Sequence, residues 1–317
     1  MPERDGYMPG VPCWVDTSQP DPVDAARFYS GLFGWQTEDT MPPGAGAHYY
    51  MARIGGRDAA AISSQPPGAP PQAVWNTYIR VESADDAAAR VREAGGRVLS
   101  EPFDVFDAGR MGVFADPEGA VFCVWQPGSH RGSAAVNEHG AVNFNNLHTD
   151  DVEAARAFYG AVFGWTTIDA GSPMWALPGY GDHLEELNPG LRAGMKQMGA
   201  PEGFEDVVAT ILPREGTPAR WSVTFAVDDA DAIAARAREL GGSVLAEPQN
   251  APWVRFAVLA DPAGASFTAS QFVAEPKVQR QLRSHFPVVH EIGRIAFVAQ
   301  PFLTWSQSDG ALRRQSQ

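Results

Sequence analysis

The spacing of apolar and polar residues predicts a strand followed by a helix near the start of the chain. The segment "PCWVDTS" at residues 12–18 has the composition of a short strand, and Asp21 then precedes a proline at the first helical position. The apolar residues that follow recur every three or four positions, which places them on one helical face. Gly34 ends this helix, because glycine readily adopts the left-handed conformation of a helix C-terminus.

The pattern then continues as strands, a second helix and three further strands. Strand-like runs precede and follow the helical segment "SADDAAARVREAG", which two glycines terminate. The order is strand, helix, strand, strand, strand, and it occurs twice before residue 128. The strand-like runs after the first helix are residues 48–54, 59–63, 75–81, 97–103, 110–116 and 120–126.

Three phrases of this pattern recur later in the chain in the same order. "ARFYSGLFGW" at 26–35 recurs as "RAFYGAVFGW" at 156–165. The other two are "REAGGRVLSEP" with "RELGGSVLAEP", and "ADPEGAVF" with "ADPAGASF". Ordered repetition of this kind indicates a tandem duplication. The aromatic residues of the first phrase are predicted to be core residues that pack a helix on a sheet.

The duplication predicts the domain boundaries. The distance between matching phrases increases along the chain, which indicates an insertion in the second copy. The predicted parts are an N-terminal segment 1–10, a first domain 11–127, a polar linker 128–140, a second domain 141–273 with an insertion at about 171–205, and a tail 274–317.

Charge and composition exclude several classes of partner. The chain has 317 residues, enough for two domains, and a formal net charge of −14, which disfavours nucleic acid and anionic membrane surfaces. No apolar run approaches the roughly 20 residues of a membrane span, and the N-terminus has no signal-peptide pattern. A cytoplasmic protein is expected. Its two cysteines are too few for a disulfide framework and match no zinc motif.

The repeated "FYxxxFGW" and "ADPxGAxF" phrases resemble the vicinal oxygen chelate superfamily, which includes glyoxalases, extradiol dioxygenases and bleomycin-resistance proteins. More narrowly, the tandem copies resemble glyoxalase-like antigens and hydroxylase-type proteins of actinobacteria. The resemblance implies an α+β fold in which each domain pairs two βαβββ units into a cupped mixed sheet. It also implies that the two domains form an intrachain pseudo-dimer, in a chain that is a monomer or a weak dimer.

Members of this superfamily that bind metal place His, Gln, Glu or other carboxylate ligands inside the cup. The matching positions on the first, fifth and eighth strands hold Trp14, Asn76 and Cys123 in copy one, and Phe144, Ser222 and Thr268 in copy two. On the fourth strand, copy one offers Asp58 and copy two offers no acid. Imidazole and carboxylate ligands are absent from the six assignable positions, so we expect no metal and no other cofactor.

Strand alternation predicts that the same cups carry a polar and aromatic lining suited to a small molecule. Arg110 and Arg255 each lie six residues before the "DPxG" aspartate, and either supply a cation to the cup or pair with nearby aspartates. His148 is either a structural histidine or a proton acceptor. The predicted ligand-binding residues are Trp14, Asp16, Asn76, Tyr78, Arg110, Cys123, Trp125, Phe144, Asn146, His148, Trp175, His183, Ser222, Arg255 and Thr268.

The insertion in the second copy is predicted to act as a lid. It carries Trp175, Tyr180 and His183, so the second cup is expected to be the better ligand site, although a surface loop is the alternative. Three functions remain open at this stage. The first is metal-independent binding of a small aromatic or hydrophobic metabolite, which we favour. The others are a glyoxalase-type lyase or hydroxylase, and a non-catalytic interaction protein.

Overall fold

A computed structural model describes residues 6–68, 72–170 and 173–273. The predicted tail 274–317 and the first five residues of the N-terminal segment lie outside these ranges. Each copy forms one eight-stranded mixed sheet with its own helices. In the described ranges, no helix is both long and apolar enough to cross a membrane.

The first sheet contains every strand of the first copy. Its strands run in the order β2-β3-β4-β1-β5-β8-β7-β6, so the two βαβββ units meet between β1 and β5. Their bounds are β1 Pro12–Gln19, β2 Gln36–Asp39, β3 Tyr49–Ile54, β4 Arg57–Ser64, β5 Val74–Arg80, β6 Arg97–Val105, β7 Gly109–Ala115 and β8 Val121–Pro127.

The second sheet has the same topology, in the order β10-β11-β12-β9-β13-β16-β15-β14. This confirms the predicted α+β fold of two tandem domains. The strands are β9 Val142–His148, β10 Thr166–Asp169, β11 Pro173–Ala176, β12 Val207–Leu212, β13 Arg220–Ala226, β14 Ser243–Ala251, β15 Val254–Ala260 and β16 Ser266–Phe272. The helices are α1 Pro22–Phe33, α2 Ala84–Glu93, α3 Val152–Phe163, α4 Tyr180–Leu187, α5 Leu191–Met198 and α6 Ala230–Glu239, and a 3-10 turn spans Phe204–Asp206.

Local signals determine where the two matching helices begin and end. The Asp21 carboxylate accepts hydrogen bonds from backbone N–H groups of the first turn of α1, and Asp151 does the same for α3. Both helices end at a glycine in the left-handed region, Gly34 with φ 72° and Gly164 with φ 75°. The duplicated "FGW" phrase therefore reads directly as a helix terminus.

The helices pack on the convex faces of the sheets, and the packing crosses between the copies. Phe28 and Tyr29 of α1 share a core with Phe225 and Phe267 of the second sheet. In the matching core, helix α3 packs against β7 and β8 of the first sheet. Each domain thus completes the core of the other, and the repeated aromatic residues are core residues as predicted.

The two repeated phrases meet across the domain boundary. The Tyr29 hydroxyl donates to Asp261 Oδ2 at 2.9 Å, and the Tyr159 hydroxyl donates to Asp116 Oδ2 at 3.0 Å. Each tyrosine belongs to one copy, and each aspartate belongs to the "ADPxG" turn of the other. The duplication therefore preserves a reciprocal hydrogen bond about a pseudo-two-fold axis.

Candidate ligand-binding site

The concave face of the first sheet, here called the first cup, brings together six of the predicted residues. The strand register places Trp14 beside Tyr78, and Tyr78 beside Cys123. Period-two alternation adds the next residues on the same face. The six are Trp14 and Asp16 on β1, Asn76 and Tyr78 on β5, and Cys123 and Trp125 on β8.

Asp16 is the polar centre of the first cup. Its carboxylate accepts hydrogen bonds from Asn76 Nδ2 at 2.8 Å, from the Tyr78 hydroxyl at 2.8 Å and from the Tyr49 hydroxyl at 3.4 Å. Burial raises the pKa of Asp16 above its ordinary value, because the charged form loses hydration, although these hydrogen bonds oppose the shift. The first cup therefore holds a buried carboxyl that binds its proton more tightly than an exposed one does.

Aromatic side chains surround this carboxyl. Trp14 Nε1 donates to the Tyr49 hydroxyl at 3.0 Å, which links the indole to Asp16 through Tyr49. Tyr78 and Trp125 lie edge to face with ring centroids 6.4 Å apart. Burial, and then the charge of Asp16, raise the pKa of the Cys123 thiol, so this cysteine is protonated and behaves as a small apolar residue.

The segment 128–140 between the domains lies against the first cup. The Ser133 N–H donates to the Cys13 carbonyl at 2.8 Å, and the Tyr7 hydroxyl donates to the Ser133 carbonyl at 2.7 Å. His130 from this segment packs against Trp14 with 4.4 Å between ring centroids. Sequence analysis missed both His130 and Tyr49: strand alternation was the available signal for Tyr49, whereas the linker offered none for His130.

Two buried nitrogen atoms near the first cup lack a hydrogen-bond partner among the described residues. They are His130 Nε2 and Arg80 Nη1. Arg80 pairs with Trp125 in the parallel register of β5 and β8. Buried polar atoms are normally hydrogen-bonded in proteins, so unpaired ones indicate where a ligand or water would bind.

The second cup holds a smaller and more neutral polar group. Asn146, which occupies the register position of Asp16, donates from Nδ2 to Thr224 Oγ1 at 3.0 Å and to Ser222 Oγ at 3.3 Å. Thr210 donates to its Oδ1 atom. Thr268 lies beside Thr224 in the parallel register of β13 and β16. Asn146, Ser222 and Thr268 are therefore brought together, around an amide rather than a carboxylate.

His148 lies at the end of the same face. Its Nε2 atom is 2.8 Å from Ser222 Oγ, and its Nδ1 atom is 3.4 Å from the Pro213 carbonyl. Burial, and then the charge of Arg220, lower the pKa of His148 to about 4. The imidazole is therefore neutral at physiological pH and engaged with its neighbours, in agreement with the structural alternative.

The insertion covers part of the second cup. Phe144 forms one hydrophobic cluster with Leu191 and Met195 of α5, Phe204 of the 3-10 turn, and Met174. These side chains are buried in the protein itself. The aromatic floor that the sequence predicted for a ligand here is therefore occupied by residues of the insertion.

Trp175 is not a lid residue. It lies on β11, is fully buried, and packs against Tyr159 and Trp165 on the helix-covered face. Strand alternation explains the error, because Met174 takes the concave position and its neighbour must point away. Tyr180 joins the same convex core, and His183 is half-buried on α4.

Arg110 and Arg255 also lie on the helix side of their sheets. Arg110 forms a two-point ion pair with Asp85 of α2, with both N–O distances 3.0 Å. Its Nη1 atom also forms a single ion pair with Asp104. Arg255 forms the same two-point pair with Asp231 of α6. Neither arginine supplies a cation to a cup. Each pairs with an aspartate on a helix, whereas the predicted alternative was pairing with aspartates close by in the sequence.

The residues at the metal positions of the superfamily do not fit a metal. Tryptophan and phenylalanine stand at the first-strand positions, and neither Asn76 nor Ser222 offers the charged or imidazole donor that a borderline cation requires. Asp58 pairs with Arg53 and faces His130. Within the described ranges, no three His, Cys, Asp or Glu side chains gather as a ligand set.

Comparisons with known proteins agree with this architecture. Residues 15–124 match the model of the glyoxalase/bleomycin resistance protein/dioxygenase superfamily, and residues 142–270 match a glyoxalase-like domain. The protein named "Putative glyoxylase CFP32" of Mycobacterium bovis is 43% identical over 271 residues, which cover 84% of this chain and 97% of that protein. The anthracycline biosynthesis protein DnrV of Streptomyces peucetius is 38% identical over 274 residues, covering 83% and 93%.

Solved structures share the fold at low sequence identity. The Mn(II)-bound glyoxalase from Novosphingobium aromaticivorans superposes with a TM-score of 0.53 at 17% identity, covering 83% of this chain and 82% of that one. The 2,3-dioxygenase LapB from Pseudomonas sp. KL28 gives 0.53 at 13% identity, covering 86% and 96%. The family models and the relatives at 38–43% identity confirm the resemblance drawn from the repeated phrases. The chain belongs to the glyoxalase/bleomycin resistance protein/dioxygenase superfamily, as a tandem of two such domains.

Proposed function

We propose that this protein binds a small aromatic metabolite in the first cup without a metal ion. The observation that carries the proposal is the ring of Trp14, Tyr49, Tyr78 and Trp125 around the Asp16 carboxyl. Aromatic walls with a few convergent polar groups are typical of small-molecule sites. The second cup, which the sequence favoured, is the weaker candidate because the insertion fills its apolar part.

The relatives support a ligand of this class. One similar protein is named for anthracycline biosynthesis, and anthracyclines are fused aromatic ring systems that carry hydroxyl and carbonyl groups. A flat ring of this kind matches aromatic walls better than a short aliphatic aldehyde does. We propose a cytoplasmic protein with no nucleic acid or membrane partner, and the net charge of −14 disfavours both of these partners.

The test is a fluorescence titration with 2-methoxyanthraquinone, a neutral aromatic probe. Trp14→Ala should weaken binding by about 1–3 kcal/mol, the usual scale for loss of a buried aromatic anchor. Phe144→Ala changes the matching position of the second cup and should leave the affinity unchanged. Chelator treatment should also leave it unchanged. If Phe144→Ala abolishes binding and Trp14→Ala does not, the ligand lies in the second cup.

A second candidate function follows from the raised pKa of Asp16. A buried carboxyl with a raised pKa is a candidate proton acceptor, as a glyoxalase-type isomerisation would need. The hemithioacetal of methylglyoxal with a small thiol is the substrate to assay. Turnover that Asp16→Asn abolishes would favour the enzyme. Probe binding without turnover would favour the binding protein. The absence of both binding and turnover would favour the interaction protein.

A further inference from the structure

The segment between the domains fixes His130 in a defined position at the first cup. The imidazole lies edge-on to Trp14 and 5.8 Å from the Trp125 ring, measured between centroids. The backbone N–H of His130 donates to the Ala108 carbonyl at 3.1 Å, and Trp125 Nε1 donates to the backbone carbonyl of His130 at 2.9 Å. These backbone contacts hold the ring before any ligand arrives.

The two nitrogen atoms of this ring have different surroundings. Nδ1 lies 3.6 Å from Asp58 Oδ2, and Arg53 Nε donates to the other carboxylate oxygen at 2.8 Å. His130 and Arg53 lower the pKa of Asp58, which keeps a negative charge facing Nδ1. A ring proton on Nδ1 would face this carboxylate, and in that tautomer Nε2 is an acceptor.

We infer that His130 and Asp58 form a hydroxyl-recognition site, in which His130 Nε2 accepts a hydrogen bond from the phenolic O–H of an aromatic ligand beside Trp14. This inference rests on the proposed function and narrows its ligand class to hydroxylated aromatic compounds. Nε2 is buried and has no hydrogen-bond partner in the part of the chain that the structure describes. A buried acceptor without a donor destabilises the protein, and a ligand hydroxyl would supply the missing donor.

The chemistry of the neighbours selects a phenol over other polar ligands. Ketones and carboxylates offer only acceptor atoms, whereas a phenol offers a donor on the ring that the two tryptophans favour. Access requires the side chains above the ring to move aside. Met51 and Met111 pack on this cluster and are only half-buried. Methionine is unbranched and adapts its shape readily, so these two side chains would make room for the ligand.

A pair of probes that differ only at the hydroxyl tests the inference. 2-Hydroxyanthraquinone and 2-methoxyanthraquinone are titrated into the full chain and into His130→Phe, which keeps an aromatic ring and removes both nitrogens. The wild type should bind the hydroxyl compound about tenfold more tightly, the scale of one hydrogen bond to a buried acceptor. His130→Phe should bring this ratio to about one, because the hydroxyl then has no acceptor on this ring.

The absorption spectrum of the bound hydroxyl compound provides a second readout. A hydrogen bond to His130 draws the proton away from the phenol oxygen, so the absorption band should shift to longer wavelength in the wild type and not in His130→Phe. Asp58→Asn should reduce the tenfold preference without removing it. The matched control is His139→Phe, because His139 lies on the same segment, 3.5 Å from Asp228 Oδ2, and does not contact Trp14 or Trp125 through its ring.

The outcomes separate the two proposals. If neither quinone binds, the proposed function is wrong, and the hydroxyl-recognition site fails with it. If both quinones bind equally to the wild type, or if His130→Phe retains the tenfold preference, only the hydroxyl-recognition site is wrong. Should His130→Phe fail to fold, an unchanged preference in Asp58→Asn together with an unshifted absorption band in the wild type would overturn the site.

Discussion

The two cups have the same strand register, but the side chains on their concave faces differ in charge and size. At one matched position the first cup has Asp16, bonded by two tyrosines and an asparagine, and the second has Asn146, bonded by short hydroxyl side chains. At a second matched position, the first cup has Trp125 on β8 and the second cup has Ser270 on β16. The insertion then fills the second cup with its own apolar residues.

This difference shows which part of a duplicated domain is free to diverge. The convex faces form cores that both copies share, so a change at Phe28 or Phe158 would disturb residues of both domains. Each cup is bordered mainly by residues of its own copy and the nearby connecting segment. The shared core therefore keeps the matched residues, whereas the concave faces hold different ones.

The largest expected effect concerns the filling of the second cup. Phe204 is 2% exposed and packs in the cluster around Phe144. Phe204→Ala should therefore lower the free energy of unfolding by about 3–5 kcal/mol, the range for deleting a buried aromatic side chain. Phe106, in the turn between β6 and β7 and 73% exposed, is the control, and Phe106→Ala should change stability little. Urea denaturation measures both. A cost below 1 kcal/mol for Phe204→Ala would mean that the second cup is open.

Exchanging the two central residues sharpens the comparison. Asn146→Asp places a carboxylate where the Ser222 carbonyl and three hydroxyls are the neighbours, so we expect a loss of about 2–4 kcal/mol at pH 7 from a buried charge without a cation. Asp16→Asn removes a charge whose burial already raises its pKa, and should cost less than about 1 kcal/mol. Equal losses in the two variants would contradict the assignment of different polarity to the cups.

The pH dependence of Asp16→Asn follows from the direction of the pKa shift. The folded protein binds the Asp16 proton more tightly than the unfolded chain, whose ordinary value is 3.8. The stability contributed by this group is therefore fully present below 3.8 and is lost as pH rises through the higher folded value. The melting temperature of Asp16→Asn, relative to that of the wild type at the same pH, should consequently be higher at pH 7 than at pH 4.

The sequence predicted the fold well because the signals for it are local and are repeated. Helix caps, the "FGW" ends and the "ADPxG" turns occur twice, so each copy supports the interpretation of the other. Strand alternation likewise placed Trp14, Asn76 and Phe144 on concave faces, as the register has them. The prediction of Trp175 as a lid residue came from the composition of the insertion, and it is wrong because Trp175 lies on strand β11 with its ring against Tyr159.

The parts of the site that sequence analysis missed depend on contacts distant in the chain. His130 belongs to a segment whose composition indicated only a linker, and its position is determined by Ala108 and Trp125. The partners of Arg110 and Arg255 lie 25 and 24 residues away, on helices. Only the folded arrangement shows that these arginines hold helices and do not face a ligand.

His148 should make the second domain sensitive to acid. Its pKa is about 4 when folded, against an ordinary 6.5, so its contribution to stability is complete above 6.5 and is lost as pH falls toward 4. Between pH 7 and pH 5 this loss is about 2 kcal/mol. The free energy of unfolding of His148→Gln, measured by urea denaturation, should therefore fall by about 2 kcal/mol less than that of the wild type between pH 7 and pH 5. His139→Gln, at a more exposed histidine outside the second cup, is the matched control for the substitution itself.

The smallest expected difference tests the reciprocal hydrogen bonds between the copies. Tyr29→Phe and Tyr159→Phe each remove a hydroxyl that donates to a buried aspartate and accepts from a tryptophan Nε1. Each should cost about 1–3 kcal/mol, the scale for a hydrogen bond to a charged group. The two costs should nevertheless differ, because Asp261 keeps a second side-chain donor, Gln19 Nε2 at 2.6 Å, whereas the described residues leave Asp116 with backbone donors alone.

Tyr159→Phe should therefore be the more destabilising change, by about 1 kcal/mol. Burial already raises the pKa of Asp116, and loss of the tyrosine should raise it further, so the gap between the two variants should widen as pH increases from 4 to 7. Adding Gln19→Leu to Tyr29→Phe removes the compensating donor and should bring its cost up to that of Tyr159→Phe. If Tyr29→Phe is the more destabilising variant while Gln19 is intact, the two halves of the interface are not held in the way that these hydrogen bonds indicate.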